Sequence, residues 1–459
     1  MADAERDPLP RSFWWFLTAG AVSWLGDGLI VVGFPLLAAG LHASPVGIAA
    51  VVVGERLAPM LLALPLGALA DRWNTRRTAV GTNLTQAALF AGSAALVAGG
   101  HLGLAGLIAV AFAANVLGTL FTCTTGALLP DVVRPAHFQR ATTWLRASNA
   151  LIAFVVGPGL GGLVYATGHA LPLLLDAGSF VAAAVVLAAL RLPDRPARPA
   201  AARRRFLDEA MDGIRISFSA GPMRLMMVFF ALMTLAQAGS VAAIVVLGRH
   251  VVGLSSTGFG WALAAGNIAA VAVMLSVGRI VKLRASTAVI AAIVAGAVGE
   301  LLLGLAHSGP QISVGLAMDG SAVLVIGVLF ATTRLRIVPR EQLGRMTGGF
   351  QSVLYGAGAA GTMLGGVLAD ISGRLPYLVC AGVYLLMAVT MGRWMRGLDA
   401  VTAVSVPAQA APEEAAAGKA LPEQALPEQA APEQALPQKA LPEEPRKWIA
   451  ESDDSAIHS

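Results

Sequence analysis

The chain has 459 residues, of which 56% are hydrophobic and only 13% charged, and its mean hydropathy of +0.71 lies outside the range of a water-soluble domain. Its two cysteines, Cys123 and Cys380, stand in separate apolar stretches, which argues against a disulfide framework or a cysteine-ligated metal centre. A net charge of +5 and a pI near 9.6 could suit a nucleic-acid binder, but the basic residues occupy the turns between apolar stretches, so nucleic acid is not expected as a partner.

Residues 1–12 form a polar N-terminus, expected in the cytoplasm, ahead of a long hydrophobic stretch that contains Asp27 and lacks a small-residue cleavage site. A retained first span is therefore expected, not a signal peptide. A bilayer core about 30 Å thick takes roughly 20 apolar residues of helix. Twelve stretches qualify: 13–40, 46–70, 78–99, 102–127, 143–166, 170–190, 222–247, 256–279, 286–306, 311–331, 343–369 and 373–394. The fold class is an all-α membrane protein whose twelve transmembrane helices form two six-helix lobes, residues 13–190 and 222–394.

Orientation follows from the basic residues. The turns after even-numbered spans carry 21 Lys and Arg, including Arg72, Arg76, Arg77, Arg134 and Arg345, against 2 after odd-numbered spans, Arg249 and Arg374. By the positive-inside rule both termini lie in the cytoplasm, in a multi-pass protein of the cell membrane. Five of the seven histidines, His42, His101, His169, His250 and His307, fall in or beside the outer turns, where they read as solvated loop residues.

The cytoplasmic linker 191–221 contains FLDEAMDGIRISF, which puts Phe206, Leu207, Ala210, Met211, Ile214 and Phe218 on one helical face. A helix lying on the membrane surface and a flexible basic linker both fit that stretch. Residues 395–459 carry Ala/Pro/Glu/Gln pentads such as ALPEQ at 420–424; Pro every fifth residue interrupts a helix, so this tail is expected to be disordered. Residues 157–178 and 361–382 match at an offset of 204, Gly157 with Gly361, Gly161 with Gly365, Gly162 with Gly366 and Pro172 with Pro376. Spans 5 and 6 thus look like copies of 11 and 12, and such repeats with a mid-bilayer site between them characterise secondary transporters.

Ionisable side chains inside the bilayer cost roughly 2.5 to 3.5 kcal/mol each on insertion scales, and each needs a reason. Asp27 and Asp319 fall mid-span, Glu55 with Arg56 and Asp176 in the outer halves of spans 2 and 6, and Glu300 towards the outer end of span 9. These six are the candidates for proton coupling or a substrate cavity. Asp27 leads because Gly26 and Gly28 leave room around it, with an ion pair to Arg56 as the alternative; Asp319 follows as the mid-membrane charge of the second half. Adjacent on a helix, Glu55 and Arg56 diverge by about 100° and need not pair with each other. Asn83, Gln86, Asn115, Asn149, Gln237, Asn267 and Gln351 can line a cavity or bond helix to helix.

GALADRWNTRRT at 67–78, in the turn after span 2 of a twelve-span chain, resembles the signature loop of the major facilitator superfamily. RLAPMLLALPLGALADRWNTRR (56–77), LLPDVVRPAHFQRATTWLRASN (128–149) and GPGLGG (157–162) resemble its macrolide-efflux and enterobactin-exporter branch, although Asn74 stands where the general pattern has Gly. The resemblance implies a cytoplasmic gate of Gly67, Asp71, Arg72, Arg76 and Arg77 with Asp131 and Arg345, tying the lobes together when the cavity faces outward. A pure topology signal is the alternative for the arginines. It implies for Gly157, Pro158, Gly161 and Gly162 a hinge and seal against the opposite lobe, with Gly365 and Gly366 as repeat counterparts; ordinary small-residue packing is the alternative. The implied activity is proton-coupled efflux of a small amphipathic molecule, such as a drug, antibiotic or siderophore, by a monomer that uses the proton gradient and no cofactor. A proton-coupled uptake symporter and a non-transporting receptor or scaffold are the alternatives. No GxxxxGK[ST] is present to make it an ATP-driven pump with its own nucleotide domain, and an enzyme is not expected.

Overall fold

A computed structural model describes residues 9–70, 73–134, 137–189, 215, 221–280, 285–337 and 343–403. The helices run in chain order as α1 (Arg11–Gly40), α2 (Pro45–Ala70), α3 (Thr75–Ala98), α4 (Leu104–Val132), α5 (Phe138–Thr167) and α6 (Leu171–Ala189). In the second half, α7 (Gly221–Ala242) continues into a π-helical turn at Val246–Val251, followed by α8 (Ser256–Ile280), α9 (Ala285–Gly304), α10 (Gly309–Ile337), α11 (Leu343–Ile371) and α12 (Leu375–Ala403). Among the described residues eleven of these helices are long and apolar enough to cross a bilayer. The twelfth, α12, carries an apolar stretch over Leu375–Thr390 among the residues whose side chains are described. The helix nevertheless continues to Ala403, past the residue 394 expected from hydropathy, since the first proline beyond the span is Pro407. The surface-helix stretch 206–218, apart from Arg215, and the tail beyond Ala403 lie outside the described residues.

Two lobes of six helices result. In the first, α1 packs on α5 and α6, α2 on α4, and α3 on α4 and α6; in the second, α7 packs on α11 and α12, α8 on α10, and α9 on α10 and α12. Each contact of one lobe has its counterpart six helices later, as the 204-residue repeat requires. Glycine explains the closeness of two of these contacts. A Cβ at Gly157 would stand 2.5 Å from the Cα of Gly28, and one at Gly161 would stand 2.9 Å from the Leu29 carbonyl oxygen; Gly361 and Gly365 meet Leu235 and Gly239 of α7 in the same way. The chain alternates direction between helices, so Arg11, Arg76 and Arg77 mark one end of the bundle, the basic end, and His42, His101 and His169 mark the other.

The lobes meet along two seams, α5 against α8 and α2 against α11. Both tighten at the His-bearing end. Gly162 lies on the Ser256 carbonyl and would place a Cβ 3.1 Å from the Cα of Gly260; Gly366 would place one 2.6 Å from the Ala49 Cβ and 3.1 Å from the Val46 Cα. Backbone approaches backbone there, which closes the bundle at that end.

Candidate functional site

Between the helices of the first lobe lies a cavity of about 780 Å³, bounded on its far side by Tyr355 of α11. It extends from Phe34 and Phe90 towards the basic end, where Phe16, Leu129 and Leu187 line it. Three of the five acids expected within spans meet in it: Asp27 from α1, Glu55 from α2 and Asp176 from α6. Asp27 is exposed to the cavity, whereas Asp176 has no exposed surface. The two carboxyl groups are close enough to interact electrostatically. Ser179, one helical turn beyond Asp176, donates from its hydroxyl to Asp176 Oδ1 at 3.0 Å and leaves Oδ2 buried without a hydrogen-bond partner.

The glycines beside Asp27 create the room the sequence suggests, and the structure shows what occupies it. Gly26 faces Asp176 and Ser179, so closely that a Cβ there would overlap the carboxylate. Gly28 receives α5, with the Ala153 carbonyl oxygen and the Gly157 Cα each 2.8 Å from where its Cβ would be. One glycine admits the second acid, and the other the crossing helix.

Arg56 diverges from Glu55, as their adjacency on a helix requires. Its Nη1 lies beside Gly358 of α11, 2.8 Å from the place of an added Cβ, and its charge interacts with Glu55 and Tyr355. It therefore spans the α2–α11 seam. The alternative of an ion pair with Asp27 finds no support in this placement.

The remaining two acids form a separate cluster in the second lobe, outside the cavity lining. Asp319 of α10 accepts from Gln237 Nε2 at 3.2 Å and from the Tyr384 hydroxyl at 3.1 Å. Glu300 of α9, without exposed surface, accepts from the Ser240 hydroxyl at 2.7 Å and from the Cys380 thiol, while its Oε1 and the Tyr377 hydroxyl are buried without partners. Repeat symmetry clarifies the difference between the lobes: Cys380 stands at the position of Asp176, 204 residues on. The first lobe holds acids on α1, α2 and α6, whereas the second holds them on α9 and α10 and uses α7 and α12 to supply their donors. Ser179, Ser240 and Tyr384 were not among the residues the sequence singled out, because a lone hydroxyl in an apolar helix carries no signal of what it faces.

Of the polar residues offered as cavity lining, Gln86 and Asn115 do line it. Gln237 serves Asp319, and Asn83 bonds within its own helix to the Ala79 carbonyl. Asn267 has a different task. Pro158 has no N–H for the carbonyl four residues before it, that of Phe154, and α5 widens there into a π-helical turn, Ile152–Val156. Asn267 of α8 donates from Nδ2 to that carbonyl at 2.6 Å. At the hinge expected at GPGLGG the opposite lobe thus supplies a donor to the backbone of the π-helical turn.

At the basic end the expected gate is only partly visible. Asp71 and Arg72, and the side chains of Asp131 and Arg345, lie outside the described residues. Gly67 is half-buried in α2 near Cys123, and Arg76 donates to the Ala188 carbonyl at the end of α6, within its own lobe. Asn74, the departure from the superfamily pattern, caps α3 by accepting from the Arg77 N–H at 3.0 Å.

A family described as "Transmembrane secretion effector", a branch of the major facilitator superfamily, matches residues 7–422. The chain belongs to this family. It is a transporter and not an enzyme, as the family and its relatives show. It is 26% identical over 425 residues to the multidrug efflux pump Tap of Mycolicibacterium fortuitum, covering 89% of this chain and all of that one. It is 28% identical over 400 residues to the MFS-type transporter YfiS of Bacillus subtilis, 81% and 90% of the two chains. Among solved structures, the nucleoside transporter NupG superposes with a TM-score of 0.66 at 15% identity, over 84% of this chain and 99% of that one. A bacterial homologue of ferroportin in an inward-facing state gives 0.67 at 15%, over 85% and 100%. At such identities these two structures establish the fold alone.

Proposed function

We propose that this transporter exports a small amphipathic molecule from the cytoplasm in exchange for protons, by alternating access. The observation that carries this reading is the cavity: Asp27, Glu55 and Asp176 face one mid-bundle space with an aromatic wall, while the lobes are closed at the His-bearing end. With the basic end in the cytoplasm, the cavity is presented to the inner side and sealed from the outer. Rocking of the lobes about the two seams would carry it across. The groups that would titrate together are Asp27 of α1, Asp176 of α6 and Glu55 of α2, with the charge of Arg56 beside Glu55 on α2 and Tyr355 of α11 interacting with Arg56 across the seam. Each proton moved inward is worth about 2.3 kcal/mol per 100 mV of membrane potential. Full similarity in length to a multidrug efflux pump supports export over uptake.

The test is transport in inside-out vesicles with an imposed pH gradient. Export predicts gradient-dependent accumulation in inside-out vesicles and not in right-side-out ones. Asp27→Asn is expected to abolish the gradient-driven component while substrate exchange at equal pH persists. Equal gradient-driven transport by wild type and variant would remove Asp27 from the coupling step, and accumulation confined to right-side-out vesicles would make the protein an importer.

A further inference from the structure

The second lobe buries two acids that take no part in the cavity, Glu300 of α9 and Asp319 of α10. Glycine brings them together. A Cβ at Gly299, next to Glu300, would stand 2.9 Å from the Asp319 backbone N and 2.7 Å from the Gly315 carbonyl oxygen, so the two backbones touch beside the acids. Gly296, one turn earlier on α9, admits the Tyr384 ring of α12 to 2.7 Å from the place of its own Cβ. The two carboxyl groups interact electrostatically across this crossing.

Their donors are shared unequally. Asp319 has one on each oxygen, from Gln237 and from Tyr384, as a carboxylate requires. Glu300 receives the Ser240 hydroxyl at Oε2 and the Cys380 thiol, while Oε1 receives nothing. Independently, the Tyr377 hydroxyl of α12, without exposed surface, also lacks a partner and lies close enough to Glu300 to interact with its charge. Cys380 and Tyr384 are the other titratable groups facing the pair, α7 adds only Gln237 and Ser240, and no Lys, Arg or His among the described residues pairs with either acid. Two neighbouring carboxylates without a cation do not both stay ionised away from water. A proton on Glu300 Oε1 turns that acceptor into a donor, offers the Tyr377 hydroxyl a bond to accept, and leaves one charge on the acid that has two donors. A metal ion fits less well, since no group of three or more His, Cys, Asp or Glu among the described residues could hold one.

We propose that Glu300 and Asp319 form a second proton-binding site, in which Glu300 takes up and releases a proton beside an Asp319 that stays charged, apart from the acids of the first-lobe cavity. Asp319 is 4% exposed and its donor Gln237 is half-buried, which gives the proton its way in, with Glu300 behind them. Because the pair lies outside the cavity lining, its occupancy follows pH and not the transported molecule. The loaded site holds one buried charge and the unloaded site two, so rising pH is the condition that sets α9 against α10 and loosens the second lobe. Proton binding here requires neither a substrate nor a gradient, and so goes beyond the export reading without resting on it.

The experiment is infrared difference spectroscopy of the full chain in proteoliposomes, without substrate, from acidic to alkaline buffer, read in the C=O band of protonated carboxyl groups. Wild type is expected to lose, as pH rises, a component of that band that Glu300→Gln lacks. In Asp319→Asn the component should disappear at a pH lower by roughly 1 unit or more, because the neighbouring charge is gone. Tyr377→Phe removes only the acceptor and should lower that pH by roughly 0.4 to 1 unit, the value of one hydrogen bond; it gives the readout should Glu300→Gln fail to fold. Asp27→Asn should leave the component in place, as should replacement of choline by sodium in the buffer. A component unmoved in every folded variant of Glu300, Asp319 and Tyr377, a band that persists at every pH, loss of the component in Asp27→Asn, or its displacement by sodium each overturns the proposal. Gradient-driven transport can fail in the vesicle assay with this component intact, and the component can be missing while transport persists, so the site and the exporter reading fall separately.

Discussion

The seam at Gly162 predicts a shift of conformation without loss of fold. In Gly162→Ala the new methyl would overlap the Ser256 carbonyl oxygen and stand 3.1 Å from both the Cα and the N of Gly260. All three are backbone atoms of α8, so no side chain can rotate aside and the two helices have to part. Overpacking of this kind costs about 1 to 3 kcal/mol. Because α5 and α8 belong to different lobes, the cost falls on the state closed at the His-bearing end and is absent once the lobes separate there. The equilibrium therefore moves towards the outward-open state by roughly 5- to 150-fold. The assay is labelling of Asn115→Cys, a cavity position on α4, by a membrane-impermeant maleimide added from outside whole cells, in a Cys123→Ser background. Cys380 is buried and silent. Faster labelling in Gly162→Ala, with an unaltered size-exclusion profile, is the expected result. An unchanged labelling rate in the folded variant would refute the reasoning that this crossing holds the outer end shut.

Gly26→Ala places a methyl on the Asp176 carboxylate and 2.5 Å from the Ser179 hydroxyl; the acid must leave its partner, and the gradient-driven component of transport is expected to fall about tenfold or more in proteoliposomes. Asn267→Ala leaves the Phe154 carbonyl without its donor, worth about 0.5 to 1.5 kcal/mol, and should raise outside labelling of the cavity cysteine less than Gly162→Ala does. Tyr384→Phe removes a donor from buried Asp319, and thermal unfolding in detergent should show a loss of about 1 to 3 kcal/mol; an unchanged midpoint would mean that this bond does not support the second lobe.

Much of the architecture was readable because the bilayer allows few solutions. A spanning segment must satisfy its own backbone, so long apolar stretches become helices, and basic turns alternate with acidic or neutral ones. The matched glycines at 157, 161 and 162 and at 361, 365 and 366 announced two lobes of the same plan, and each does mark a close helix crossing. Helix ends were less legible: α12 runs on to Ala403 and α5 begins at Phe138, since helices extend past the lipid wherever no proline or glycine stops them. The acids were visible one at a time, as costs needing a reason. Their grouping was not. Asp27 and Asp176 are separated by most of a lobe in sequence, and hydropathy does not say which face of α6 looks at α1.

From the sequence alone come the membrane, the twelve spans, the internal repeat and the family resemblance, all properties of composition and periodicity that the lipid solvent imposes locally. Tertiary structure decided which charges share a space. It placed Asp27, Glu55 and Asp176 in one cavity and Glu300 with Asp319 in another cluster, turned Arg56 into the seam, and joined the Phe154 carbonyl to Asn267 of the other lobe. The physical reason is that the direction of a side chain around a buried helix is set by the packing of several helices at once, through approaches of a few ångströms that only glycine permits, and no single helix carries that information.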